Sequence, residues 1–128
     1  IPIDRDLVVC DRIDFDVARN ATLRLLEKED RPDAILAFND IITYAAFDAI
    51  KKKGLRIPED VAIIGFTDGD TAAFVTPKLS AIVDKAHEQG TTACDLLMRS
   101  INGDEKIYKK VVPMILKIRE SSEKNDVK

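Results

Sequence analysis

Residues 34–66, AILAFNDIITYAAFDAIKKKGLRIPEDVAIIGF, contain the pattern that decides the fold class. The runs 34–38 and 61–66 are apolar throughout, which is typical of parallel strands covered on both faces. Between them, apolar residues recur every three or four positions from Ile42 to Ile50, which predicts a helix that ends at Gly54. A strand, a helix and a second strand in this order predict parallel pairing through a right-handed crossover.

The same alternation extends along most of the chain. Further helices are predicted over 14–28 and 86–101, with Asp14 or Asp16 capping the first. Further strands are predicted over 7–10, 79–83, 111–112 and 114–118, with Pro113 as a break between the last two. The fold class that follows is α/β, a three-layer α/β/α sandwich with a mainly parallel sheet, and a disordered polar tail over 123–128.

Composition narrows the class of protein. A chain of 128 residues with a net charge of −3 fits one domain without the basic footprint of a nucleic-acid binder. No apolar run approaches the roughly 18 residues that a membrane span needs. Cys10 and Cys94 are expected to be buried free thiols in a reducing cytoplasm, and with His87 as the single histidine we expect no metal site and no cofactor. Because the chain begins without Met, we expect it to be part of a longer protein.

Polar residues follow three of the predicted strands. In open parallel sheets, ligands bind at the carboxyl ends of the strands. Three clusters meet this condition: residues 11–13, Asn39 with Asp40, and residues 67–70. Amide and carboxylate groups in this mixture suit a ligand with several hydroxyl groups, such as a sugar. The alternatives are that Asn39 and Asp40 only cap a helix and that the acids of 67–70 only form a turn.

A third interpretation of the acidic residues in 67–70 is the active site of an enzyme. Asp68-Gly69-Asp70-Thr71 superficially resembles the nucleophile loop of haloacid-dehalogenase-type phosphatases, in which two aspartates and Mg²⁺ act on phosphate. Ala72 departs from that loop, and only 57 residues follow Thr71, too few for the later motifs of those enzymes. We therefore predict no catalytic residues and no enzyme.

Residues 31–68, RPDAILAFNDIITYAAFDAIKKKGLRIPEDVAIIGFTD, closely resemble the effector-binding core of LacI/GalR-family transcriptional repressors. The matching family pattern is a P-D-A strand, N-D opening a helix, G-L-x-I/V-P-x-D-V and a strand ending in G-F/Y-D-D. TPKLSAIVDKAHEQG (76–90) resembles the family's crossover strand and helix, and RESS (119–122) its closing strand. The resemblance covers about residues 7–122.

The resemblance implies a periplasmic-binding-protein-like fold of two subdomains with a small-molecule effector in the cleft between them. Residues 1–122 would be a partial effector-binding domain, the C-terminal part of it. Its subdomain core would span 7–83, its crossover helix 84–103 and its closing strands 111–119. DNA binding would require a helix-turn-helix, which nothing in this chain resembles.

The resemblance also assigns residues to the effector site. Asn39 matches the asparagine that contacts a sugar hydroxyl, and Thr67 and Asp68 match the two acids after the strand. Thr67 departs from the usual acid and puts the effector's identity in doubt. Asp84 and Ile13 match positions that often carry Gln and an aromatic residue.

A homodimer is the expected assembly. The family's dimer surface matches Tyr44, Phe47, Phe74 and Val75. The apolar stripe of the helix over 86–101 would pack on a subdomain that is not in this chain, so we also expect self-association, with domain swapping as one route.

The function implied is effector sensing in a cytoplasmic transcriptional repressor, in which the effector shifts the balance between two conformations and so changes DNA binding. The alternative is the periplasmic sugar-binding component of a transporter or sensor, which shares this fold. The residues ahead of Ile1 would distinguish them, by a helix-turn-helix or a signal peptide.

Overall fold

The computed structural model describes residues 3–66 and 69–124, with only the backbone of Asp70. Its helices are α1 (Phe15–Leu26), α2 (Asp40–Lys52) and α3 (Ala86–Ile101), and its strands are β1 (Ala34–Ala37), β2 (Ala62–Gly65), β3 (Ser80–Val83) and β4 (Ile115–Lys117). Two short 3-10 turns cover Arg5–Leu7 and Asp70–Ala73. The strands lie in the order β1-β2-β3-β4, with β1, β2 and β3 parallel and β4 antiparallel to β3. The predicted α/β class and mainly parallel sheet are confirmed.

Both predicted helix starts carry the expected caps. The Asp14 carboxylate accepts a hydrogen bond from the backbone N–H of Val17 at 3.0 Å, and Asn39 Oδ1 accepts from Ile42 N–H at 3.0 Å. Each bond satisfies one of the N–H groups that a helix start leaves without a partner. At the other end of α2, Gly54 has a φ of 69°, the left-handed conformation that glycine adopts most easily.

The core lies between α2 and one face of the sheet. Ile50 of α2, Ile63 of β2, Val61 and Leu79 are all fully buried, and each such side chain contributes about 1.5–3 kcal/mol relative to exposure. Helix α1 packs against α2. A side chain at Gly65 would place its Cβ 3.0 Å from the Thr43 side chain, so α2 lies very close to the end of β2.

The opposite face of the sheet has no helix on it among the described residues, so the third predicted layer is not formed there. Leu36, which alternates with the half-buried Ile35 along β1, is 68% exposed. Its cross-strand neighbour Ile64 lies on the same face. The continuous apolar sequence of β1 is typical of a strand that is covered on both faces. Residues 3–66 and 69–124 cover one of these two faces.

The predicted strand over 7–10 is wrong. Leu7 ends a 3-10 turn, and residues 8–12 carry no regular structure and pair with none of the described strands. Their apolar composition is strand-like, but a strand needs a neighbour to satisfy its backbone groups. For the same reason Cys10 is exposed, as is Cys94 on α3, so the expectation of two buried thiols is wrong as well.

Helix α3 has no buried residue and no extensive contact with another helix or strand. It leads into residues 104–114, which carry no regular structure. The predicted strand at 111–112 is therefore wrong, and the predicted strand over 114–118 is shortened to β4. Pro113 lacks the N–H that a ladder needs and marks the break.

The segment that follows β4 is hydrogen-bonded to the residues at the amino-terminal ends of β2 and β3. The backbone of Ser121 accepts from Ile63 N–H and donates to Lys78 C=O, both at 2.9 Å. Its hydroxyl donates to Ile63 C=O at 2.7 Å and accepts from Ser80 N–H at 2.8 Å. Residues 119–122 thus join the amino-terminal ends of β2 and β3 without being a strand, although RESS was expected to form one.

The turn before β2 is held by an ion pair with a defined pH dependence. The Arg56 side chain and backbone N–H donate to Asp60 at 2.8–3.0 Å, and these hydrogen bonds lower the pKa of Asp60 to about 2. Because the folded pKa is depressed, this stabilisation is complete above the ordinary carboxyl pKa and is lost as pH falls toward 2. We expect Asp60→Asn to lower the thermal unfolding midpoint at pH 6 and to have no effect near pH 2. A difference that persists unchanged at pH 2 would contradict this account.

Candidate functional site

The carboxyl ends of the three parallel strands form one edge of the sheet. Ala37 is paired with Gly65, and Gly65 with Ala81. Asn39 lies two residues beyond the first of these positions, and Asp84 three residues beyond the last. The register therefore brings Asn39, half-buried, and Asp84, exposed, to the same edge, while their role as ligand residues stays a prediction.

Asn39 is fixed in position and still has a free donor. Its Oδ1 caps α2, and its backbone carbonyl accepts from the hydroxyl of Thr43 at 2.6 Å and from Thr43 N–H at 2.9 Å. Nothing in the described parts of the chain accepts a hydrogen bond from the Nδ2 group of Asn39. The capping role and a ligand role are therefore compatible, because they use different atoms of one amide.

Asp40, which the sequence groups with Asn39 at this edge, is covered in a way that the sequence did not show. Its Oδ1 is buried and has no hydrogen-bond partner among the described residues. A Cβ added at Gly69 would lie 3.8 Å from its other oxygen, so the backbone after β2 passes over this carboxylate. The N-D pair marked a helix start but gave no sign that the second residue would be covered.

Two aromatic rings at the same edge were also missed. Phe38 and Phe66, each one residue past its strand, have ring centroids 6.2 Å apart and an interplanar angle of 22°. Phe38 is 68% exposed. The alternation along β1 and β2 was the signal that could have paired them, because both residues extend the face of Leu36 and Ile64.

The other predicted ligand residues are Thr67, Asp68 and Ile13. Thr67 and Asp68 lie outside the described residues, as does the side chain of Asp70. Ile13 is 57% exposed and lies just before α1. Since residues 8–12 are not a strand of the described sheet, the structure does not place Ile13 at a strand end, and its role as a ligand residue stays a prediction.

The four predicted interface residues have very different environments. Phe74 is 84% exposed. Tyr44 and Val75 are half-buried and pack against the core, and the Tyr44 hydroxyl is hydrogen-bonded to that of Thr71. Phe47 is 5% exposed and belongs to the core, so its side chain packs beneath the predicted dimer surface and is not exposed on it.

The chemistry of the edge is that of binding. A free amide donor, carboxylate acceptors and an exposed aromatic ring are the groups that orient a polar ligand with an apolar side. Within 3–66 and 69–124, no cluster of three or more His, Cys, Asp or Glu side chains could hold a metal ion. No helix in those ranges has the length and apolarity to cross a membrane.

Comparisons with known proteins concern the fold and the family of the chain. Residues 3–122 match the family model described as a periplasmic binding protein-like domain. The HTH-type transcriptional regulator DegA of Bacillus subtilis (strain 168) is 32% identical over 123 residues, which are 95% of this chain and 36% of DegA.

Solved structures give the same result. A regulatory protein of the LacI family from Chloroflexus aggregans is 33% identical, with a TM-score of 0.85 over 96% of this chain and 45% of that one. The complex of the transcriptional regulator CelR with cellobiose is 28% identical, with a TM-score of 0.83 over 95% of this chain and 38% of that one. The chain thus spans between a third and a half of the length of these relatives. It belongs to the LacI family of transcriptional regulators, within their periplasmic-binding-protein-like effector domain.

Proposed function

We propose that this chain is the effector-sensing and dimerising part of a cytoplasmic LacI-type repressor whose effector is a small polyhydroxylated molecule, most simply a sugar. The observation that carries the proposal is the Nδ2 donor of Asn39, which has no acceptor among the described residues, next to Asp40 and at the same sheet edge as Asp84, where open parallel sheets bind ligands. The CelR relative was solved with cellobiose, which supports a sugar as the ligand class.

The mixture of groups suits such a ligand. A sugar hydroxyl both donates and accepts, so one hydroxyl accepts from Asn39 Nδ2 while others donate to carboxylates. The exposed ring of Phe38 offers a flat apolar surface against which the C–H face of a sugar ring can pack. The part of the site after β2, at Thr67 and Asp68, is proposed from their position in the chain.

Regulation follows from differential binding. An effector that binds a closed cleft more tightly than an open one shifts the protein toward the closed form by that difference in affinity. Asn39 links the ligand to α2, because the same residue caps the helix and binds the hydroxyl of Thr43, which packs against β2 at Gly65. Restraining Asn39 therefore restrains the first turn of α2 relative to the sheet. In the whole protein, this restraint would alter the arrangement of the DNA-binding parts.

The ligand class is tested by calorimetric titration of the whole protein with a panel of mono- and disaccharides. We expect at least one sugar to bind with one site per chain and to change the affinity for operator DNA. Reciprocal linkage requires the DNA to change the affinity for that sugar by the same factor. Binding of none of the sugars by a folded protein would refute the proposed ligand class.

The homodimer is proposed on the exposure of Phe74. A ring that is 84% exposed next to the half-buried Val75 is a candidate anchor for a partner's surface. We expect Phe74→Glu to weaken dimerisation at least tenfold in sedimentation equilibrium, since a charge would be buried without a partner. The exposed Ile107, changed to Glu in the same way, is the control and should leave the dimer intact. A monomeric wild-type protein at high concentration would contradict the proposal.

A further inference from the structure

A groove runs along α3, away from the sheet edge described above. Two adjoining cavities of about 280 and 270 Å³ lie between α3 and residues 108–112, which carry no regular structure. They share Thr92, Leu96 and Lys110, so they form one continuous depression, called here the α3 groove.

One end of the α3 groove is strongly cationic. Arg99, Lys109 and Lys110 line it, and Asp95 is the acid among its lining residues. Residues 99–110 carry a formal net charge of +2 in a chain whose net charge is −3, so this segment is basic although the whole chain is acidic. Lys109 and Lys110 take part in none of the ion pairs found among the described residues.

Arg99 is oriented for recognition. Its guanidinium lies over the ring of Tyr108, with Cζ 5.4 Å from the ring centroid. The Tyr108 hydroxyl donates to Asp104 at 2.7 Å, which fixes the ring. Stacking occupies the face of a guanidinium and leaves its in-plane N–H donors available for a carboxylate or phosphate oxygen.

The other end of the α3 groove is apolar. Ala93, Leu96 and Val112 line it, next to Gln89. The apolar residues Leu97 and Ile101 are 61% and 65% exposed and do not line the groove. Ala93, one turn before Leu97, lies where the groove meets that uncovered stripe. A cationic end beside an apolar floor matches a peptide in which acidic and apolar side chains alternate.

We propose that the α3 groove is a docking site for an acidic segment of a partner protein. The acidic side chains would bind Arg99, Lys109 and Lys110, and an apolar side chain would pack on Leu96. A nucleic acid fits less well, because its backbone charges call for an extended basic surface, whereas here the cations are confined to one end of a short groove. This interaction is independent of the effector and would add a second input to the regulator.

The test uses the whole protein and a fluorescein-labelled peptide of four Glu-Glu-Leu repeats, followed by fluorescence anisotropy at low salt. We expect this peptide to bind and a Gln-Gln-Leu peptide of equal length not to bind. Lys109→Glu with Lys110→Glu should weaken binding about tenfold or more, because like charges then face each other.

The matched control carries the same charge change at exposed positions that do not line the groove, Arg24→Glu with Lys124→Glu. It should weaken binding by less than about threefold, the effect of a diffuse, screened charge. Circular dichroism and sugar binding should be unchanged in both variants. Equal losses in the two variants, no binding of the Glu-Glu-Leu peptide, or tighter binding of a 12-nucleotide single strand through the same lysines would each overturn the proposal.

Discussion

Replacing Ser121 by alanine should lower the free energy of unfolding by about 2–4 kcal/mol, because it leaves two buried backbone groups without partners at about 1–3 kcal/mol each. The two groups are the carbonyl of Ile63 and the N–H of Ser80, which the Ser121 hydroxyl joins at 2.7 and 2.8 Å. Ser121 is fully buried, so water cannot easily replace the lost hydroxyl. Urea unfolding followed by circular dichroism measures the change.

Ser122 provides the control for this prediction. Its hydroxyl donates to Ser80 Oγ, which is also bonded to the backbone of Arg119. Ser122→Ala therefore leaves Ser80 Oγ with other partners and should cost about 1 kcal/mol or less. If the two alanine variants were equally stable, the hydrogen bonds from Ser121 to Ile63 and Ser80 would not stabilise the sheet as proposed.

Asn39→Asp should weaken effector binding by about 5- to 150-fold, which corresponds to about 1–3 kcal/mol for a ligand acceptor that loses its donor. The substitution separates the two functions of Asn39. A carboxylate oxygen caps a helix about as well as an amide oxygen, so the bond to Ile42 N–H remains. The Nδ2 donor disappears. Calorimetric titration with a sugar that binds the wild-type protein measures the loss.

Asn20→Asp is the matched control, because it makes the same chemical change at an exposed position on α1. It should leave the affinity within about twofold, as expected for a surface change without contacts. The unfolding midpoint of Asn39→Asp should also stay close to that of the wild-type protein. An unchanged sugar affinity in Asn39→Asp would remove this residue from the site.

Local sequence signals predicted the elements that depend on local interactions. The capping residues Asp14 and Asn39 and the stop at Gly54 set the helix ends by bonds within a few residues. The register of β1, β2 and β3 then places Asn39 and Asp84 at one edge of the sheet. This placement follows from the parallel direction of the strands, because their carboxyl ends then lie at the same edge.

Long-range pairing was where prediction from sequence failed. Residues 7–10 have the composition of a strand, but nothing in their own sequence shows whether a neighbouring strand is there to pair with them. Likewise, the apolarity of Leu36 predicted a cover that no described helix supplies. The role of Ser121 was missed because its four partner groups lie at Ile63, Lys78 and Ser80, 41 to 58 residues away.

The candidate site was predicted in part. The stacking of Phe38 on Phe66 and the burial of Asp40 under Gly69 depend on how the ends of two strands are placed, which apolarity and turn residues do not encode. The α3 groove was missed for a similar reason. In the sequence, its basic residues resemble an ordinary solvent-exposed charged segment. The structure adds that Tyr108 and residues 109–112 lie against α3.

Amide hydrogen exchange of the whole protein, with and without a saturating sugar, tests most directly whether the effector binds at the Asn39 edge. The amides of Ile42 and Thr43 are bonded to Asn39 Oδ1 and to its carbonyl. A ligand that restrains Asn39 should therefore slow exchange in peptides covering 38–44. Unchanged exchange there, with protection confined to α3 or to another surface, would contradict the account.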